Sequence, residues 1–341
     1  MKISDDSLWF ATAFYHASGS APNARTVFRR SKPTMYYRCM IVCFATIRRL
    51  YPEARLSLFS NRPPPDPFHG QLESIRVDTV ICAGRYVDDP AFRNDFPGCL
   101  FTLDVIDCLA RDPSAGFSHV ILLDSDCIVR LRLDAMVKEL ENRGERIYAY
   151  ETGYPVHQVF NGQSRATLTL QSAYFSGQTA PSPIASYGGE FYCLPAGSLP
   201  MLAGRIRNFW AWMKSEGVGS FGNCLTEEHV MSVVLAGEKG TVHTADGLIK
   251  RIWTASNYSN VDGNESGIPI WHLPSEKKKG FVRLYRYWVR NNGFAELGEG
   301  DLLRLIDKAV PLRTAGRKYP GRSLLRRLKN SVKAFVGDPV Q

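Results

Sequence analysis

Residues 118–130 read Ser-His-Val-Ile-Leu-Leu-Asp-Ser-Asp-Cys-Ile-Val-Arg, and this stretch constrains the chain more than any other. The apolar run 120–123 is short, β-branched at its start and free of polar alternation. That is the pattern of a strand covered on both faces of a sheet. It ends in Asp124 and Asp126, two carboxylates at the carboxyl end of a strand, where open α/β sheets place their ligand crevice. Paired carboxylates are hard oxygen ligands suited to Mn²⁺ or Mg²⁺ carrying phosphate oxygens, whereas zinc calls for more His or Cys. A pair of acids in a solvated strand exit is the plain alternative.

The chain has 341 residues and ordinary globular composition, enough for one large α/β domain or two smaller ones. Its eight cysteines show no C-x-x-C spacing, and most lie in apolar segments, so they read as buried free thiols in a reducing, cytoplasmic setting. The first residues carry two aspartates and no basic-then-apolar pattern, so no signal peptide is expected. No apolar run approaches the roughly 18 residues of a membrane span. The net charge is +9, and residues 317–333 hold seven positive charges with no acid between them, leaving +2 for the rest. The basicity therefore belongs to a tail, which argues against a nucleic-acid binder.

Read in order, residues 8–14 form a first buried strand and 15–20 a loop. Residues 25–32 are basic and irregular, and 35–50 form a buried helix with Arg48 and Arg49 at its negative end. Strands follow at 55–60 and 75–82, separated by a Pro-rich turn, then a helix at 99–111 and the strand into Asp124. A helix at 131–142 and a strand at 146–151 come next. This alternation is that of a mixed, mainly parallel sheet flanked by helices. Residues 154–183 are polar and read as a long loop. A helix is expected at 198–216, capped by Ser198 and broken by Gly217 and Gly219, and a second at 226–235 capped by Thr226. Residues 1–312 are taken as the catalytic domain and 313–341 as a basic amphipathic tail. There Leu325, Leu328, Val332 and Phe335 fall at helical spacing, the form of a helix lying on an anionic membrane surface.

Four segments in this order resemble the glycosyltransferases of GT-A fold, a Rossmann-like α/β class. They are the strand into Asp124-Ser125-Asp126, similar to that family's D-x-D; Tyr187-Gly188-Gly189-Glu190-Phe191; Thr226-Glu227-Glu228-His229; and Ile268-Pro269-Ile270-Trp271-His272 with Lys277 and Lys278 beyond. The last is similar to the closing His-x-x-Gly-x-x-Lys of the glycogenin-like and lipooligosaccharide galactosyltransferase-like group. Ser275 stands where that pattern has Gly, which leaves the choice among the lysines open.

The resemblance implies a metal-dependent hexosyltransferase that moves a sugar from a nucleoside diphosphate, UDP above others, to a hydroxyl acceptor in a cell-surface glycan or glycolipid. It implies Asp124, Asp126 and His272 as ligands of Mn²⁺ or Mg²⁺. Lys277 or Lys278 would meet the diphosphate, and Asp124 and Ser125 the ribose or donor sugar. Glu190, Glu227 or Glu228 would be the catalytic acids. Tyr15 or Phe14 would stack on the nucleobase, Thr12 would bond its edge, and Thr102 and Asp104 would line the donor pocket. The His272-and-lysine ending leans towards retention of anomeric configuration; in an inverting enzyme Glu227 or Glu228 would be the general base. Each site has a plainer reading. Acids in a helix's first turn are favourable whatever the function, Phe14 packs in any core, and lysine runs are usually solvated. The competing resemblance is to a haloacid-dehalogenase-type phosphohydrolase, whose D-x-D opens its fold rather than following three strands. An inactive transferase fold that only binds its ligands is the non-enzymatic alternative.

Overall fold

The computed structural model describes residues 3–16, 32–92, 97–111, 116–143, 146–177, 182–237, 242–255 and 258–312. The basic tail 313–341, read above as an amphipathic helix, lies outside the described residues, as does nearly all of the basic stretch 25–32.

Strand–helix alternation opens the chain with β1 (Leu8–Phe14), α1 (Lys32–Leu50), β2 (Arg55–Ser60), α2 (Phe68–Ser74) and β3 (Asp78–Ile81). Next come α3 (Phe101–Leu109), β4 (His119–Leu123), β5 (Cys127–Val129), α4 (Asp134–Arg143) and β6 (Ile147–Glu151). A small hairpin of β7 (Val159–Phe160) and β8 (Gln163–Ser164) leads through α5 (Arg165–Ser176) to the long strand β9 (Tyr187–Pro195). Helices α6 (Leu199–Trp212), α7 (Val218–Phe221) and α8 (Glu227–Ala236) follow, then β10 (Val242–Thr244) and β11 (Ile249–Arg251). A second hairpin, β12 (Thr254–Ala255) with β13 (Tyr258–Ser259), precedes β14 (Ile270–His272), α9 (Gly280–Arg290) and α10 (Glu299–Ala309).

Seven strands make the central sheet in the order β10-β6-β9-β4-β1-β2-β3, all parallel to their neighbours except β9, which runs antiparallel to both β4 and β6. Every residue of β4 is buried, as its unbroken apolar run requires. Side chains of β1 alternate between two cores. Phe10 packs on the α1 side with Ile41 and Phe44, while Trp9 and Ala11 face Phe101 and Phe209 on the α3 and α6 side. From β1 the order runs outward to β2 and β3 in one direction and to β4 in the other. The crevice of such a sheet opens at that switch, above the carboxyl ends of β1 and β4. A second, three-stranded sheet, β11-β14-β5, lies beside it. No helix among the described residues is long and apolar enough to cross a membrane. None of the eight cysteines forms a disulfide, and five of them are buried.

Some expectations are corrected. The third strand is shorter than 75–82, because α2 and its closing turn occupy the residues before Asp78. Residues 154–183 are not one long loop: they hold the β7–β8 hairpin and α5. That helix is capped by the Ser164 hydroxyl accepting from Thr167 N–H and closed by left-handed Gly177. Its Thr- and Ser-rich sequence buries little besides Leu168 and Gln171, so the apolar stripe that marks a helix is faint. Ser198 does not cap α6; its hydroxyl donates to the Pro195 carbonyl at the end of a 3₁₀ turn. Gly217 does not break the helix either. The chain passes through a π-helical turn, Met213–Gly217, into α7 and stops at Gly222, whose φ is 77°.

Candidate active site

The turn between β4 and β5 carries Asp124, Ser125 and Asp126, and pairing on both sides brings distant groups to it. Antiparallel β9 sets Phe191 opposite Leu123, so the Asp124 N–H donates to the Glu190 carbonyl at 3.2 Å. In the smaller sheet His272 lies opposite Cys127, and the Leu273 N–H donates to the Asp126 carbonyl at 3.0 Å. Parallel β11 then places Arg251 beside His272.

His272 Nε2 lies 3.4 Å from Asp124 Oδ2 and 3.3 Å from Asp126 Oδ2. One ligand atom from each of the three residues falls within 4.8 Å of the others. The second ring nitrogen, Nδ1, sits 3.3 Å from Glu190 Oε1. A carboxylate behind a histidine is how metal sites fix the ring so that its other nitrogen points a lone pair at the ion. Two carboxylates and an imidazole fit Mn²⁺ or Mg²⁺ with positions left for phosphate oxygens. Lys277 Nζ contacts Asp126 Oδ2 and lies 5.5 Å from the centre of the Tyr36 ring.

The charges have causes that can be named. Burial opposes ionisation of Asp126, but the Lys277 ammonium and His272 hold its carboxyl well below the usual range. Burial also lowers His272, yet Asp126 and Glu190 outweigh it and raise the imidazole to about 9. A divalent ion would take the place of that proton.

Behind the ligands lies a buried ion network. Arg251 grips Glu190 with two bonds, Nε to Oε1 at 2.5 Å and Nη2 to Oε2 at 2.6 Å. The same Nη2 reaches Glu228 Oε1 at 2.8 Å, and Nη1 donates to the Tyr154 hydroxyl at 2.9 Å. Glu190 is fully buried, and burial alone would raise it, but Arg251 and His272 bring it down to about 2. Glu190 therefore sits behind the site and faces its own protein, not the cleft.

The two acids of α8 part company. Thr226 caps the helix as expected, its hydroxyl accepting from His229 N–H while His229 Nδ1 accepts from Thr226 N–H. Glu228 is held by Arg251 and by the Gly189 N–H. Among the described residues Glu227 has no cation against it: the Cys99 thiol donates to it, and its buried Oε2 has no hydrogen-bond partner there. Burial and the neighbouring Glu228 push it up to about 8. Neither Gly188 nor Gly189 has room for a Cβ, which would strike the Glu190 carboxylate and the Glu227 carboxylate respectively.

The remaining expected residues are placed as follows. Ser125 is buried within the turn. Lys278 is exposed, and it is Lys277 that reaches Asp126. Tyr15 donates to Asp88 at 2.6 Å and packs on Phe101 close above Gly84, on the β1 side of the crevice. Phe14 packs with His16, Tyr36 and Tyr37. Thr12 is buried, and Thr102 is half-buried on α3. Asp104 accepts the Arg85 N–H at 2.8 Å and the Tyr86 N–H at 3.3 Å, so its carboxylate organises the loop after β3. Arg251 and Tyr154 were not expected. The signal for Arg251 was available: a basic pair, Lys250-Arg251, between Ile249 and Ile252-Trp253 is a charge inside an apolar strand, which calls for a buried partner.

In fold the chain is similar to mouse xyloside xylosyltransferase 1 in its apo form, with 12% identity and a TM-score of 0.45 over 79% of this chain and 98% of that one. It is also similar to the galactosyltransferase LgtC in complex with donor and acceptor sugar analogs, with 10% identity and a TM-score of 0.48 over 91% and 99%. Both are glycosyltransferases, the class that the sequence motifs resemble. No family model and no curated protein matches the chain. At TM-scores below 0.5 neither likeness bears on activity.

Proposed function

We propose that this protein is a metal-dependent glycosyltransferase that moves a sugar from a nucleoside diphosphate, UDP foremost, to a hydroxyl acceptor. The observation that carries the reading is the convergence of Asp124, Asp126 and His272 Nε2 at the carboxyl end of β4, with Lys277 against Asp126. Those three residues would hold Mn²⁺ or Mg²⁺, which when bound supplies Lewis-acid stabilisation of a leaving diphosphate. Lys277 adds fixed positive charge where negative charge develops on the leaving group. Glu190 keeps the proton on His272 Nδ1, and Arg251 keeps Glu190 in place. Tyr15 offers its ring to the nucleobase, and the Asp124–Ser125 turn faces ribose and sugar.

Among the described residues Glu227 is the buried acid with an oxygen that lacks a hydrogen-bond partner, and we assign it to the reacting sugar. Held neutral near pH 7, it acts as a hydrogen-bond donor rather than as a general base, which supports retention over inversion. Glu228, tied to Arg251, is a positioning residue.

UDP release from a panel of nucleotide sugars, with Mn²⁺ or with EDTA, tests the proposal. Metal-dependent release that Asp126→Ala abolishes supports it, and full activity in EDTA refutes the metal role. Stabilisation by a nucleotide sugar without transfer would identify an inactive binder. Hydrolysis of a simple phosphate ester without sugar transfer would favour the phosphohydrolase. The anomeric NMR spectrum of the product decides the stereochemistry.

A further inference from the structure

Helix α9 follows directly on Lys277 and buries Phe281, Leu284 and Trp288 against the core. Its outward face is cationic. Lys279, Arg283, Arg286 and Arg290 recur at steps of four, three and four, so they line one side of the helix, and all four are exposed. The exposed Lys278 precedes them, and no acid occurs between residues 277 and 295. Elsewhere arginines face carboxylates, as Arg132 does Asp5, Arg207 Asp107 and Arg304 Asp301. On α9 no carboxylate among the described residues lies within ion-pair distance of Lys278, Lys279, Arg286 or Arg290. Arg283 donates to the Ala309 carbonyl at 3.1 Å.

We propose that this face of α9 is a docking surface for an anionic lipid bilayer. Charge complementarity is the first argument: an unpaired stripe over about 16 Å of helix presents its cations to a plane of lipid phosphates. Shape is the second, since a convex helix suits a flat surface, whereas single-stranded polyanions are held in grooves. The third is what accompanies the cations. Val289 is 48% exposed and Tyr287 half-exposed beside Arg286 and Arg290, the aromatic and aliphatic company that interfaces favour. The apolar side of α9 is already used in the core, so the helix lies on the headgroups and does not insert. The C-terminal end of α10 packs at the start of this stripe, through the Ala309 carbonyl and Val310. Docked in this way, the protein holds Lys277 and the carboxylate turn at the edge of the bilayer. The inference does not depend on the reaction proposed above.

Co-sedimentation of the full chain with phosphatidylcholine vesicles, alone or with about a third phosphatidylserine, tests it at low and at physiological salt. The variant is Lys279→Glu/Arg286→Glu/Arg290→Glu, which spares Lys277 and the Arg283 cap. The parent is expected to bind only the anionic vesicles and to release with salt, and the variant to bind about a hundredfold more weakly. A matching Lys279→Gln/Arg286→Gln/Arg290→Gln chain should lose less, and it serves as the test if the reversal variant melts early. Equal vesicle binding by parent and variants overturns the proposal. So does parent binding to neutral vesicles, or capture by soluble heparin with no affinity for anionic vesicles.

Discussion

The two sides of the site are built on opposite plans. On one side Asp124, Ser125 and Asp126 are consecutive, presented by one turn, and the Asp124 side chain is half exposed. On the other, Glu190, Glu228, Arg251 and His272 arrive from β9, α8, β11 and β14, and each leans on another's charge. The turn's backbone bonds to Glu190 and Leu273 survive loss of the half-exposed Asp124 carboxylate. A buried ion network cannot lose a member without stranding the rest. Chemistry and stability should therefore separate between the two sides.

The largest effect is expected on the turn. Asp126→Ala should lower metal-dependent UDP release by about a thousandfold or more. More than a tenth of parental activity would remove the turn from the metal site. Arg251→Met should act mainly on the fold. It leaves Glu190 and Glu228 without their cation, and loss of such a partner costs about 3–5 kcal/mol, read by denaturant unfolding. With His272 no longer steadied, Mn²⁺ affinity measured by calorimetry should fall about 10- to 100-fold. If Arg251→Met keeps parental stability, the contrast between the two sides fails.

Glu227 sharpens the comparison because it belongs to neither plan. Glu227→Gln preserves a neutral hydrogen-bonding group and should stay within about fivefold of parental turnover, whereas Glu227→Ala should lose about a hundredfold. A Gln variant as poor as the Ala variant would show that the carboxylate form is needed.

The same residue gives a smaller effect of pH. Glu227 is raised from an ordinary 4.5 to about 8 by burial and Glu228, and Asp104 from 3.8 to about 7, chiefly by burial. The folded state then binds more protons than the unfolded one, so the contribution is full below about pH 4 and is lost as pH rises through about 7 to 8. The melting temperature should fall by a few degrees across that window, and Glu227→Gln should flatten the upper part of the slope. Smallest of all, Thr226→Ala removes the cap of α8 and should cost about 1 kcal/mol, with the metal affinity unmoved.

Much of the first plan was legible in the sequence, because an apolar run and two acids after it are local signals. The β1 and β2 boundaries, the buried α1 and the Thr226 cap were legible for the same reason. His272 was found through its resemblance to a motif, not through its chemistry. Arg251 was missed because its meaning depends on register: only the pairing of β11 with β14 sets it beside His272, and only that of β4 with β9 brings Glu190 within reach. Helix α5 was missed because its caps are clear while its apolar face is thin. The π-helical turn was missed because two glycines read as a stop, although Gly217 keeps a helical φ of −68°.

Gly188 and Gly189 also set terms for anyone re-engineering the acceptor. A library that randomises β9 would spend most of its diversity on dead members, since any side chain at 188 displaces the carboxylate steadying His272 and any at 189 displaces Glu227. The hairpin at 159–164 carries no metal ligand, and Val159 on it is 67% exposed. Diversity is therefore better placed on that hairpin, whose Phe160 ring stacks 4.4 Å from that of Tyr154 beside Arg251, with the two glycines held constant.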